Sequence, residues 1–144
     1  MVSNGKLKEF NKKKEALLVD KALIKKQHSK GKLTAEERIK LLMDEGSFTE
    51  IDAFVELKSH DFNLQEKKKG GDGVITGYGT VNNRKVCVYA QDFTFMGGSM
   101  GEMHNKKIAK IMDFALKTGC PIIGLFDSGG ARNQEGIHGL DGGG

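Results

Sequence analysis

Residues 120–132 read Cys120-Pro-Ile-Ile-Gly-Leu-Phe-Asp-Ser-Gly-Gly-Ala-Arg132. Ile122 to Phe126 is apolar throughout, the pattern of a strand covered on both faces. Asp127 to Arg132 then makes a glycine-rich turn able to open another helix. Upstream, Ile108, Ile111, Met112, Ala115 and Leu116 recur at helical spacing and predict a helix that buries this stripe, ended by Gly119 and Pro121. Before it stand the segment Gly97-Gly98-Ser99-Met100-Gly101 and two apolar runs, Val74 to Val81 and Val86 to Ala90. Asn82-Asn83 joins the runs, and because asparagine tolerates positive φ a tight hairpin is predicted. Hairpin, helix, buried strand and glycine turn, in that order, argue for an α/β sheet with helices packed outside it.

Working toward the N-terminus, Ile51, Ala53, Val55 and Leu57 alternate with mostly polar residues and predict a half-buried strand. Lys58 to Gly71 lacks periodicity and reads as an exposed loop. Gly77 and Gly79 do not form a dinucleotide fingerprint, since no third glycine follows at the right spacing and no helix opens behind them; in a strand they more often mark a bulge or a close backbone approach. Thr34-Ala35-Glu36-Glu37 is a capping box opening a helix with Ile39, Leu42 and Met43 on its apolar face, which Gly46 is expected to end. Leu7, Phe10, Leu17, Leu18, Leu23 and Ile24 mark an earlier lysine-rich helix that stops near Gly31. The expected organisation is a helical arm over residues 1–46 and an α/β unit over residues 47–144.

The 144 residues leave room for one real core, because a chain of this size buries about 68–70% of its unfolded surface. Hydrophobic residues make up 38% and charged residues 29%, a soluble and globular balance. No apolar run approaches the roughly 20 residues of a membrane span, and no export signal is visible, so a cytoplasmic location without membrane insertion is expected. The net charge of +4 comes from lysines with few interleaved aromatics, which argues against nucleic-acid binding. Cys87 and Cys120 have no CxxC or histidine partner for zinc and are expected as two reduced, buried thiols. His28, His60, His104 and His138 form no metal set and read as surface residues.

Glycine turns between strand and helix are common for purely structural reasons, and taken alone this one favours that reading, though its form also suits chemistry. Without side chains in the way, backbone N–H groups after a buried strand can face a ligand oxygen, and a helix opening there favours developing negative charge. Such a turn can hold an enolate oxygen or a phosphate, with Arg132 available to a nearby anion.

Four segments stand in one order: Gly31-Lys-Leu-Thr-Ala-Glu-Glu-Arg38, Gly71-Asp-Gly-Val-Ile-Thr-Gly-Tyr-Gly79, Gln91-Asp-Phe-Thr-Phe-Met-Gly-Gly-Ser-Met-Gly-Glu-Met-His104 and Asp127-Ser-Gly-Gly-Ala-Arg-Asn-Gln-Glu-Gly136. Together they closely resemble the N-terminal half-domain of the biotin-dependent acyl-CoA carboxyltransferases. These are the subunits of propionyl-CoA, methylmalonyl-CoA and acetyl-CoA carboxylases and their sodium-pumping decarboxylase relatives. The resemblance covers nearly the whole chain from about Lys25 and implies a crotonase-like (ClpP/crotonase) fold, incomplete here and preceded by N-terminal helices.

The resemblance further implies transfer of CO2 between carboxybiotin and the α-carbon of an acyl-CoA through an enolate held by backbone amides. Gly129, Gly130 and Ala131 match the turn beside the thioester and are expected as backbone oxyanion donors. Arg132 matches a family arginine that either contacts a CoA phosphate or orders the turn through a salt bridge. Gly97, Gly98 and Ser99 match a segment near the same pocket. Acyl-CoA is the implied substrate and biotin, on a separate carrier domain or protein, the implied cofactor. Implied partners are a biotin carboxyl carrier protein, biotin carboxylase or membrane decarboxylase subunits, and further copies of the full-length chain. Two departures stand out: Asn133 replaces an aliphatic residue, and Gly142-Gly143-Gly144 stands where the family continues with Gly-Tyr-Gly. The second oxyanion turn and biotin's part of the pocket are expected beyond Gly144, so the fragment is expected to be inactive alone.

Two other readings compete. A non-catalytic fragment could bind CoA or pair with other subunits through its arm helices and sheet edges. A serine hydrolase would use Gly97-x-Ser99-x-Gly101 as nucleophile elbow with Asp127 and His138. Against it, no buried strand leads directly into Ser99, which is instead expected to cap the following helix or bond to backbone.

Overall fold

A computed structural model describes residues 20–52 and 72–131. Contacts divide the chain into two compact units, Met1–Leu33 and Thr34–Gly144. In the first, residues 20–29 are helical (α1). The chain then turns: the Gly31 amide donates to the His28 carbonyl at 2.8 Å and the Lys32 amide to the Gln27 carbonyl at 3.2 Å. Leu7, Phe10, Leu17 and Leu18 of the expected stripe lie outside the described residues, as do Ala53, Val55 and Leu57.

The second unit opens on helix α2, Ala35–Leu42. Its capping box forms as the sequence predicts: the Glu37 amide donates to Thr34 Oγ1 at 3.3 Å and the Thr34 amide to Glu37 Oε2 at 2.8 Å. The helix ends at Leu42, earlier than the expected stop at Gly46, because Met43 is already extended as the C-cap. The sequence groups this helix with the arm; in the structure Ala35, Ile39 and Met43 pack against Val86, Val88 and Ala90 of the sheet.

The sheet runs in the order β1 (Thr49–Ile51), β2 (Val74–Val81), β3 (Arg84–Gln91) and β4 (Ile122–Leu125). β1–β2 and β2–β3 are antiparallel and β3–β4 parallel. Asn82 and Asn83 take φ of 50° and 64°, so the β2–β3 turn is the predicted two-residue hairpin, matched to the strand twist. Gly77 is the predicted close approach: a Cβ there would stand 2.3 Å from the Thr49 carbonyl oxygen and 2.6 Å from the Phe48 ring. A parallel neighbour needs a crossover, and helix α3 (Glu102–Thr118) supplies it between β3 and β4.

Several expectations about burial are corrected. Among the described residues the strand covered on both faces is β3, while residues 122–126 are only partly covered. Val86, Val88 and Ala90 face α2, while Cys87 and Tyr89 join Ile111 and Ala115 of α3 on the opposite side. β4 is an edge strand among the described residues, with Ile122 36% exposed and Phe126, just beyond its end, 72% exposed. The α3 stripe is also rotated from the expected one. Its buried residues are His104, Lys107, Ile111 and Ala115, whereas Met112 and Leu116 are exposed. His104, read as a surface residue, is fully buried. Of the cysteines, Cys87 is buried, Cys120 half-buried, and both are free thiols.

Candidate functional site

At the carboxyl end of β4 the chain enters residues 127–131, the predicted glycine turn. In open α/β sheets ligands bind beyond the carboxyl ends of the strands, so this is the expected place for a site. Facing the turn is a single 3-10 turn, Met96–Gly98, between β3 and α3. The two expected glycine segments therefore meet. The Gly129 amide donates to the Gly97 carbonyl at 2.8 Å, the Met100 amide donates to the Gly130 carbonyl at 2.8 Å, and Met100 and Ala131 form a parallel bridge. Gly98 is buried and has φ of 62°; a Cβ there would lie 2.2 Å from the Asp127 carbonyl oxygen, so no other residue fits without moving the turn.

Gly129 is corrected as a donor, because its amide is spent on Gly97. Gly130 has φ of +106° and its amide is held at 3.0 Å by the exposed Ser128 hydroxyl, a partner that can rotate away. Among the described residues the Ala131 amide donates to no protein group. Of these two neighbouring N–H groups, one is bonded only to an exposed side chain and the other to no described group. Ser99 does not cap α3; the N-cap is Gly101, with no side-chain bond of its own. Ser99 also follows a 3-10 turn rather than a strand, which is not a nucleophile elbow. Arg132, His138 and Asn133 lie outside the described residues.

Three residues that sequence reasoning missed hold this corner. Arg38 reaches from α2 to the ends of two strands, donating to the Gln91 carbonyl at 2.5 Å and the Phe126 carbonyl at 3.5 Å. Gln91, at the end of β3, accepts from the Asp127 amide through Oε1 at 3.1 Å. His104 contacts Gln91 through Nε2 at 3.4 Å. Beside them Asp72 Oδ2 accepts from the His104 amide at 3.0 Å, serving as the cap that α3 lacks locally. One turn further along α3, Lys107 donates to the Val74 carbonyl at 2.6 Å. Burial pushes its ammonium below the ordinary 10.5, while Glu50, Asp52 and Asp72 pull it back. The sole sequence signal for these residues was their position inside the four ordered segments or just after them.

Comparison with known proteins follows the same lines. The propionyl-CoA carboxylase beta chain of Roseobacter denitrificans is 60% identical over 116 residues, covering 81% of this chain and 23% of that protein. The methylmalonyl-CoA decarboxylase alpha subunit of Propionigenium modestum is 47% identical over 143 residues, covering 98% of this chain and 28% of that protein. The chain thus spans about a quarter of the length of the curated relatives it matches. Among solved structures, transcarboxylase 12S, a hexamer determined with methylmalonyl-coenzyme A and methylmalonic acid bound, is 39% identical with a TM-score of 0.82. It is matched by 99% of this chain over 28% of its own. The fold is accordingly α/β with a mixed sheet, part of a crotonase-like domain. Among the described residues no helix is long and apolar enough to cross a membrane. The carboxyl transferase domain model matches residues 26–144, most of the length, and the chain belongs to that family.

Proposed function

We propose that this chain forms part of the acyl-CoA site of a biotin-dependent carboxyltransferase, with the Gly130 and Ala131 amides receiving the thioester oxygen. One observation carries the reading: at the carboxyl end of β4 the Ala131 amide has no protein acceptor among the described residues, and its neighbour Gly130 is held only by an exposed hydroxyl.

As an acyl-CoA loses its α-proton, charge accumulates on the thioester oxygen. Amides fixed in place bind that oxygen more strongly in the transition state than in the ground state, which is the condition for acceleration. The enolate α-carbon held by these amides would then take the CO2 that carboxybiotin would supply, with biotin taking the proton in exchange. Biotin, on a separate carrier, supplies the CO2 when bound. The described residues are assigned to the acyl-CoA alone. Gly97, Gly98 and Ser99 form the wall opposite the turn, and Arg132 serves either a CoA phosphate or the turn itself. The partners proposed are a biotin carboxyl carrier protein, biotin carboxylase or membrane decarboxylase subunits, and further copies of the full-length chain.

The test is carboxyl transfer from labelled methylmalonyl-CoA to a biotinylated carrier, measured with the complete polypeptide that contains this sequence. Gly130→Val, strained at a φ of +106°, should turn the two amides away and lower transfer on the order of 100-fold, while assembly persists. Transfer at the unsubstituted rate would overturn the assignment.

A further inference from the structure

Gln91 has 2% of its surface exposed and His104 none, and the proposed function uses neither side chain. Their hydrogen bonds to Asp72 and Asp127 fit one proton arrangement. His104 Nδ1 lies 3.1 Å from the carbonyl oxygen of Asp72, which can only accept, so Nδ1 carries a proton. At the far end, Gln91 Oε1 accepts from the Asp127 amide, so the Gln91 amide nitrogen faces His104 Nε2. Nε2 must then offer its lone pair. A proton on Nε2 would set two donors face to face there, and turning the Gln91 amide over would only move that clash to Asp127.

The ring is itself fixed, because Asp72 holds both the His104 amide and Nδ1. A continuous run of directed hydrogen bonds therefore leads from the buried Asp72 corner through the imidazole and the Gln91 amide to the first residue of the glycine turn. Arg38 meanwhile clamps the main-chain oxygens of Gln91 and Phe126 from the other side of the sheet. Downstream of Asp127, the Gly129 amide and the Gly130 carbonyl are pinned to Gly97 and Met100. The turn is thus held at its entry by a side chain and along its length by backbone.

We infer that Gln91, oriented by His104, is a positioning residue that fixes the entry of the turn carrying the Gly130 and Ala131 amides. This rests on the proposed function of those amides. Gln91 touches no reacting atom; it acts through Asp127. Small displacements of groups that hold a reacting centre are costly, with about 1 Å worth on the order of 100-fold in rate.

The experiment uses the complete carboxyltransferase that contains this sequence. Gln91→Met keeps the length of the side chain but neither donates nor accepts as an amide does. It should lower kcat roughly 100-fold while leaving KM for the acyl-CoA within about threefold, because the loss falls on the transition state. His104→Leu should do the same, and His104→Gln, whose amide oxygen reaches the position of Nε2, should recover most of that loss. A kcat equal to the unsubstituted enzyme in Gln91→Met, an effect on KM alone, or no recovery in His104→Gln overturns the inference.

Absence of transfer in the unsubstituted enzyme would instead sink the proposed function, and two readouts then still decide the positioning role. Nitrogen-15 spectra should place the His104 proton on Nδ1, and the Asp127 amide should exchange with solvent faster in Gln91→Met. A proton on Nε2, or unchanged exchange, overturns it.

Discussion

The carbonyl oxygen of Asp127 occupies the space that a side chain on Gly98 would need, 2.2 Å from the position of its Cβ. Gly98→Ala therefore forces the two glycine segments apart in addition to straining a φ of 62°. Overpacking of this kind costs about 1–3 kcal/mol, and the carboxyl transfer assay should lose most of its rate. Gly97→Ala is the comparison. Its added Cβ would meet nothing closer than the Phe93 ring at 4.0 Å, so it should lose only the conformational cost of its φ, about 1–2 kcal/mol. Equal losses in urea denaturation would show that the Gly98–Asp127 contact is not what limits the position.

Asp44 ties α2 to the β2–β3 hairpin. Its carboxylate accepts from the Thr80 hydroxyl at 2.6 Å and from the amides of Asn82 and Asn83 at 2.9 and 2.8 Å. The Thr80 hydroxyl above all, then the Asn83 amide, holds its pKa below the usual 3.8. A carboxyl group depressed in the folded state adds stability that is complete above its unfolded pKa and disappears as pH falls through its folded value. The stability difference between the unsubstituted protein and Asp44→Asn should hold steady from neutral pH into mild acid, then shrink below 3.8. A difference that stays constant into strong acid would reject the role.

Helix α3 offers a contrast between two large apolar residues. Ile111 is fully buried between α3 and the sheet, while Leu116 is 83% exposed. Ile111→Ala should cost about 2–5 kcal/mol in denaturant titration. Leu116→Ala, measured on the same chain, should stay within about 0.5 kcal/mol. The reverse order would mean the helix is turned the other way.

Thiol chemistry should separate the two cysteines. Cys87 is fully buried and burial pushes its thiol above 9.0, with Cys120 adding to the shift. The thiolate is the reacting species, so iodoacetamide under native conditions should label Cys120 first, and Cys87 only on unfolding. Mass spectrometry of the labelled peptides checks this; early labelling of Cys87 would mean that the β3 core opens readily.

Much of the fold was legible because its signals are local. The capping box at Thr34 and Glu37, the Asn82-Asn83 hairpin and the glycine turn after a short apolar strand each depend on residues within a few positions of one another. Errors arose where partners come from far away. His104 and Lys107 look like surface letters, yet Asp72, Gln91 and the Val74 carbonyl satisfy them in the interior. That displaced the predicted stripe of α3 toward Met112 and Leu116. Likewise, composition cannot say whether β3 or β4 is covered on each face, since that depends on where α2 and α3 pack. At the site, the sequence marked both glycine segments but could not reveal that Gly97 takes up the Gly129 amide, or that Arg38 and Gln91 brace the corner.

One consequence follows from the way α3 begins. Its first turn borrows a carboxylate from Asp72, 32 positions earlier, because Gly101 brings no capping side chain. Residues 102–118 are therefore not a portable module: excised as a peptide, or transplanted behind a foreign loop, they would lose the group that starts the helix. Any recombination breakpoint between Asp72 and His104 separates a lock from its key.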